Sequence, residues 1–204
     1  MIGNCPMCGN HAWDKTVTGC TVRCPACGHE WTFRKLPLFV LTGCSGVGKT
    51  TSAQALLQRN PDFVVLDADY LYAIMKPESR KEYAEWVEQM MNLAKDIAQS
   101  GRPVVWVTAG CLDLFHPAYH RRFFTEIHCL ALTCSEEELR RRMTEVRGIT
   151  DDEWIRSSVE YNRYFQTHER LEEMRFETLD ITALSREARA EYLENWVRAR
   201  WQDD

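Results

Sequence analysis

One stretch constrains this chain more than any other. Leu38-Phe-Val-Leu-Thr-Gly43-Cys44-Ser45-Gly46-Val47-Gly48-Lys49-Thr50-Thr51 runs from an apolar segment directly into Gly-x-x-x-x-Gly-Lys-Thr. The apolar residues suit a buried strand, and the glycines let backbone N–H groups turn inward around a chain of phosphates. Lys49 has the length to reach the terminal phosphates, and the Thr50 hydroxyl can ligate Mg²⁺. The pattern predicts a helix from Thr50 to about Arg59, whose positive end would point at the same phosphates. A chance match in a glycine-rich turn would lack the strand before it and the helix after it, and both are present.

The 204 residues allow one domain of ordinary size with a small appendage. A 45% hydrophobic and 27% charged composition is that of a globular chain able to bury a core. The longest apolar runs have strand length, which excludes a membrane-spanning helix. Met1-Ile-Gly-Asn-Cys5-Pro lacks the basic and apolar regions of an export signal, so a cytoplasmic protein is expected. Net charge is −5, with four Lys/Arg against two Asp/Glu in residues 1–35 and −7 left for the remainder. Neither part is a strong nucleic-acid patch.

Nine cysteines, an odd number, include two Cys-x-x-Cys pairs. Cys5-Pro-Met-Cys8-Gly and Cys24-Pro-Ala-Cys27-Gly are separated by fifteen residues, and each is a Cys-Pro-x-Cys-Gly knuckle. Two such knuckles complete a tetrahedral four-thiolate site, and the segment around Gly19 suits a short hairpin. This region resembles the zinc ribbons, which implies Zn²⁺ held by Cys5, Cys8, Cys24 and Cys27. So small a piece has too little core to fold without its metal. Redox use of either pair is the competing reading, disfavoured because neither opens a helix in a strand–helix–strand unit. Cys20 is an extra thiol, and His29 reads as a surface residue. Trp13, Trp31 and Phe33 either form a stacking surface for nucleic acid or pack the ribbon onto the larger part. Packing is favoured, because aromatics in a small ribbon are usually its scarce core. Arg34-Lys-Leu-Pro37 marks the boundary.

Further along, Phe63-Val-Val-Leu66 predicts a second strand that ends in Asp67-Ala-Asp69. Ligands in open parallel sheets sit beyond the carboxyl ends of strands, so this pair should reach the phosphate loop. Alternate residues leaving a strand point alike, so both carboxylates can face one ion and one substrate; a solvated turn is the plainer alternative. Ser79-x-x-Glu82 is a capping box that opens a helix over 79–99. Its stripe of Tyr83, Trp86, Val87, Met90, Ala94 and Ile97 reads as core, or in its aromatic half as the wall of an acceptor pocket. Val104–Thr108 predicts a third strand without a terminal acidic residue, which leaves Asp67 as the nearest Mg²⁺ ligand. His116, His120, Arg121 and Arg122 read as solvated surface rather than acceptor contacts. A fourth strand over Ile127–Leu132 precedes a second capping box, Ser135-x-x-Glu138, and a basic helix; Thr150-x-x-Glu153 predicts the start of another. Together they suggest a flap whose Arg142 and Arg147 close on the phosphates, although a charge run is more often a solvated face. Phe176–Thr182 predicts a fifth strand, with Ser185 capping the last helix.

With these pieces placed, residues 36–200 resemble the P-loop small-molecule kinases: nucleoside and nucleotide kinases, gluconate and shikimate kinases, and the kinase module of polynucleotide 5′-hydroxyl kinases. The resemblance rests on Gly43–Thr51, Asp67-x-Asp69, Arg142 with Arg147, and Leu179-Asp-Ile-Thr182-x-Leu-Ser185. It implies an α/β three-layer sandwich of about five parallel strands in the order 2-3-1-4-5 over residues 36–204, with the ribbon at 1–35. It further implies ATP as phosphoryl donor, Mg²⁺ on Thr50 and Asp67, Lys49 and Asp69 in catalysis, and Thr182 and Ser185 beside the adenine. The chain departs from the pattern twice. Residues 70–100 contain one arginine, Arg80, which argues against a phosphorylated acceptor, and Tyr70-Leu-Tyr72 stands where polynucleotide kinases place an arginine. The expected acceptor is a small molecule such as a nucleoside, sugar acid or antibiotic. Nucleic acid bound through the ribbon is the alternative enzyme reading, and an ATP-dependent regulatory module the non-enzymatic one. No membrane partner is expected.

Overall fold

Side chains along the central strands alternate between two buried faces, which fixes three layers. In β4 (Leu38–Thr42), Leu38 and Val40 face one side of a sheet while Phe39 and Leu41 face the other, and all are fully buried. A strand covered on both faces reads as a continuous apolar run, which is why these segments carry no polar alternation. The computed structural model describes residues 2–201. Ahead of β4, strands β1 (Thr16–Thr18), β2 (Thr21–Arg23) and β3 (Glu30–Thr32) form a small antiparallel sheet turned by Gly19. After β4 come α1 (Lys49–Gln58), β5 (Val64–Asp67), α2 (Asp69–Met75), α3 (Arg80–Ile97) and β6 (Val104–Val107). Then follow β7 (Ile127–Thr133), α4 (Glu136–Arg141), α5 (Asp152–Thr167), the short pair β8 (Arg170–Leu171) and β9 (Met174–Arg175), β10 (Glu177–Asp180) and α6 (Arg186–Arg198).

The large sheet is parallel throughout, in the order β5-β6-β4-β7-β10. Counted along the chain that is 2-3-1-4-5, the order the resemblance implied. Leu38 lies beside both Val104 and Ile127, so β4 sits at the centre with its carboxyl end flanked by those of β6 and β7. One face is covered by α1 and α6 through Ala53, Leu56, Leu193 and Trp196. The other is covered by α3 through Trp86, Val87, Met90 and Met91. Trp106 points from β6 into the α3 layer, and its indole N–H donates to the Met90 carbonyl at 3.0 Å, whereas the buried indole N–H of Trp86 in the same layer has no partner among the described residues. Among the described residues no helix is long and apolar enough to cross a membrane.

The N-terminal sheet shares its core with the α3 face. Ile2, Val22 and Phe33 belong to the same apolar cluster as Leu38 and Met90, and Phe33 meets Phe123 edge-to-face at 5.6 Å. Polar ties run along α3 at several levels: the Ile2 amide donates to Asp96 at 3.0 Å, Arg34 and Gln99 exchange two hydrogen bonds, and the Lys15 amide donates to the Tyr119 hydroxyl at 2.9 Å. Trp13 lies against Tyr119 and His120.

Several local expectations need correction. Asp69 does not continue an extended exit from β5; it opens α2, a helix the sequence did not signal. The cap of α5 is Asp151, which accepts from the Glu153 and Trp154 amides, rather than Thr150. His120 is not solvated surface but 1% exposed, because the docked Trp13 covers it and Glu88 on α3 receives its ring Nδ1 at 2.6 Å. Burial alone would raise the Glu88 carboxyl. The hydrogen bonds from the His120 ring and from the Tyr119 and His120 amides outweigh that and hold it below its ordinary value of 4.5. A carboxyl lowered in the fold stabilises it above the ordinary value and loses that contribution as pH falls through the lower, folded one. Glu88→Gln should therefore cost about 1–2 kcal/mol at neutral pH. In urea unfolding the gap to the parent should close below about pH 4; a gap independent of pH would contradict this reading.

Candidate active site

The loop between β4 and α1 adopts a conformation that only glycine permits at two points. Gly43 has φ of 139°, and a Cβ there would sit 2.6 Å from the Leu132 carbonyl oxygen; Gly46 has φ of 80°, and a Cβ would sit 2.7 Å from Met143 Cγ. The loop thus lies tight against β7 on one side and the residues after α4 on the other. Cys44 and Val47 are buried, and their carbonyls take part in holding the loop. Helix α1 starts at Gly48 with no capping side chain and no acidic residue in its first turn, whereas Ser79, Ser135, Asp151 and Ser185 cap α3, α4, α5 and α6. Its bare N–H groups and positive end make an anion site. The Lys49 ammonium donates to the carbonyls of Gly43 and Cys44 at 2.8 and 2.9 Å. Burial pushes it down to about 8, against the pull of the Asp69 and Asp67 carboxylates.

A cavity of about 670 Å³ opens over this loop at the carboxyl edge of the sheet. Ser45, Gly46, Gly48, Lys49, Thr50 and Thr51 line its floor, and Asp67 and Asp69 line it from β5 and α2. The two carboxylates come together through a local turn, in which the Asp69 amide donates to Asp67 Oδ1 at 3.1 Å. Partial burial and the charge of Asp67 push the Asp69 carboxyl up, opposed by Lys49 and Arg147, so acid pair, lysine and arginine share one electrostatic neighbourhood. Thr108, just past β6, also faces the cavity; its hydroxyl is buried without a partner, as is that of Thr42 at the end of β4. A buried hydroxyl lacking a partner beside such a loop fits a site completed by a polar ligand.

The other wall is basic. Past α4 the backbone widens into a π-helical turn over Arg142–Val146, which aims Met143 onto Gly46. Arg142 bonds the Val47 carbonyl and pairs with Glu138 at 2.7 Å, and Arg147 donates to the Ser45 hydroxyl at 2.8 Å and lies over the Trp154 ring. Hydrogen bonds from Arg141 and Arg142 hold the Glu138 carboxyl down to about 2. The flap therefore rests directly on the phosphate loop. Leu184, Ser185 and Arg186 line the far end of the cavity. Thr182 is not among the lining residues: its hydroxyl donates to Asp180 and accepts from the Ser135 amide at 2.8 Å.

The AAA domain family AAA_33 matches residues 38–153, more than half of the chain and the part that holds the loop, the carboxylates and the flap. This chain belongs to that family. No curated protein matches it. Among solved structures, this AAA_33 protein is similar in fold to a sugar kinase from Janibacter sp. HTCC2649, at 17% identity and a TM-score of 0.60, covering 80% of this chain and 94% of that one. A gluconokinase from Sinorhizobium meliloti 1021 gives 17% identity and 0.55 over 83% and 99% of the two chains. A shikimate kinase from Acinetobacter baumannii, in complex with shikimate, gives 16% and 0.52 over 82% and 96%. At such identities the likeness is one of fold: a P-loop kinase-like α/β sandwich.

The AAA_33 cavity includes a residue that sequence reasoning missed. Arg189 on α6 is nearly buried, bonds the carbonyls of Leu184 and Ile181, and brings its guanidinium, like that of Arg142, within 3.5 Å of where a Gly48 Cβ would be. Its position four residues past the Ser185 cap was the available signal: one turn into a helix that starts beside the cavity.

In the N-terminal segment the four Sγ atoms of Cys5, Cys8, Cys24 and Cys27 lie within 4.8 Å of one another. Cys5 and Cys27 are 3.6 Å apart and Cys8 and Cys24 3.8 Å, so the close contacts cross between the knuckles. Zinc–sulfur bonds of about 2.3 Å at tetrahedral angles require edges of about 3.8 Å, so this donor set fits Zn²⁺. Burial would raise the Cys24 thiol, but the Cys27 and Ala26 amides outweigh it and bring it down to about 6. At Cys27 the His29 amide is outweighed by burial and by the neighbouring Cys8, Cys5 and Cys24 side chains, which push the thiol up to about 12, a conflict that a cation among the four would relieve.

Proposed function

We propose that this protein is an ATP- and Mg²⁺-dependent phosphotransferase that moves the γ-phosphoryl group to a hydroxyl of a small molecule. The supporting observation is one cavity shared by a phosphate cradle, a carboxylate pair and a cluster of guanidinium groups, the parts that phosphoryl transfer uses. The N–H groups of Gly43–Thr51 and the Lys49 ammonium hold the phosphates, and Ser185, with Thr182 behind it, borders the adenine. Mg²⁺ held by Thr50 and Asp67 would neutralise charge on the phosphate oxygens. Asp69 orients the acceptor hydroxyl and takes its proton. The acceptor oxygen bonds the γ-phosphorus as the bond to the β,γ-bridging oxygen breaks, and ADP leaves with the electron pair. Arg142 and Arg147, joined by Arg189, balance the charge that spreads over the transferring group. Catalysis of this kind is positioning and electrostatics.

Residues 1–35 act as a zinc ribbon and residues 36–204 as the kinase-like unit. The ribbon serves as a brace: Phe33 lies in the shared core, Trp13 lies on Tyr119 and His120, and the Trp31 indole donates to the Ile2 carbonyl. That packing favours a small-molecule acceptor over a nucleic acid recruited by free ribbon aromatics.

Two measurements test these assignments. Acceptor-dependent ADP release should fall at least a hundredfold in Asp69→Ala with ATP affinity kept; release that needs no acceptor and survives the change would point to a regulatory ATPase instead. Metal analysis of the purified chain should give about one zinc per molecule, absent in Cys24→Ser; a full zinc complement in that variant would contradict the four-thiolate site.

A further inference from the structure

The acceptor side of the site has a chemistry of its own. A second cavity of about 490 Å³ lies between α1, β5 and α2, lined by Ala53, Leu57, Val65, Leu66, Tyr70 and Ala73. It is continuous with the phosphate cavity, because Thr50, Asp67, Asp69 and Val107 line both. The groove therefore begins at the carboxylates and runs away from the phosphate loop over apolar surface. Leu57 is 51% and Tyr70 78% exposed, which leaves that surface open to a ligand.

Among the described residues no lysine, arginine or histidine lines this groove. The cations of the site lie in the phosphate cavity, where Lys49, Arg142 and Arg147 are engaged with the phosphate loop and Arg189 with the carbonyls of Ile181 and Leu184. Of the cations that follow α2, Lys76 caps its carboxyl end with an exposed side chain that does not line the groove, Arg80 is bound to Asp113 at 2.7 Å, and Lys81 faces Glu85 at 3.8 Å. An anionic group seated within the groove would lose its hydration, find no cation among the lining residues and meet two carboxylates at the mouth. An acceptor with an apolar body meets a matched surface, with the carboxylates waiting at its hydroxyl.

Resting on the kinase reading above, the geometry points to an acceptor that is an uncharged alcohol with an apolar body, seated in the α1–β5–α2 groove with its hydroxyl at Asp69. Sugar acids and phosphorylated acceptors are excluded by the same surface. Leu57, Tyr70 and Ala73 are then the residues that set acceptor specificity.

The test uses the full chain with ATP and two acceptor panels, one neutral (adenosine, thymidine, phenylpropanediol) and one anionic (gluconate, shikimate, thymidine monophosphate). The neutral panel should be turned over with kcat/KM at least tenfold above the anionic one. Ala73→Arg and Leu57→Lys, both at exposed helix positions that tolerate a long side chain, should each raise the neutral-acceptor KM at least tenfold and leave the KM for ATP within twofold. Turnover of the anionic panel alone, or a neutral-acceptor KM indifferent to both substitutions, overturns this inference and leaves the kinase reading standing. ADP release that no acceptor stimulates overturns both. A dimer of the parent that Ala73→Arg dissociates, with neutral-acceptor KM unchanged, assigns the groove to a second copy and overturns the inference as well.

Discussion

The architecture depends on one steric constraint, the approach of the Gly43 and Gly46 backbone to β7 and to the turn after α4. Because glycine stands at both positions, the loop backbone can come this close without the collision that a side chain would bring. That approach is possible only because β4 occupies the centre of the sheet with β6 and β7 paired on either side. The same arrangement puts the ends of β5 and β6 next to the loop, so the carboxylates and Thr108 reach it without long connections. The basic flap then lies on the loop through Met143, Arg142 and Arg147. Cradle, acids and arginines are consequences of one strand order.

The second organising contact is the seam between the ribbon and α3. Asp96, Gln99 and Glu88 tie the ribbon to the helix directly or through the Tyr119–His120 turn. At its other end the same helix carries Tyr83 and Trp86, which pack with Tyr72 of α2, the helix that begins with Asp69. The four-thiolate site and the acid pair are thus joined through a single rigid element. A metal held by the four cysteines would brace α3 and, through Tyr72, α2.

Much of this was legible in the residues, for identifiable reasons. The apolar runs ending at Thr42, Thr108 and Thr133 could be read as strands because burial on both faces leaves no other role for them, and the half-buried edge strand ending at Asp67 by its run of β-branched and apolar residues between turns. Helix α3 announced itself through a complete capping box at Ser79 and Glu82. Helix α2 did not, because none of its residues is buried and it has no capping side chain, so no periodic pattern marks it. His120 and Arg189 escaped for a different reason. Each owes its environment to a distant segment, the ribbon in one case and the phosphate loop in the other, and local pattern holds no record of such contacts.

The central claim is that the terminal phosphoryl group of ATP ends on an acceptor oxygen rather than on water. Phosphorus NMR of the zinc-loaded protein, incubated with ATP, Mg²⁺ and a neutral alcohol, follows that group directly. A new phosphate-monoester resonance should grow in step with ADP. Growth of inorganic phosphate alone, at the same rate with and without the alcohol, would contradict it.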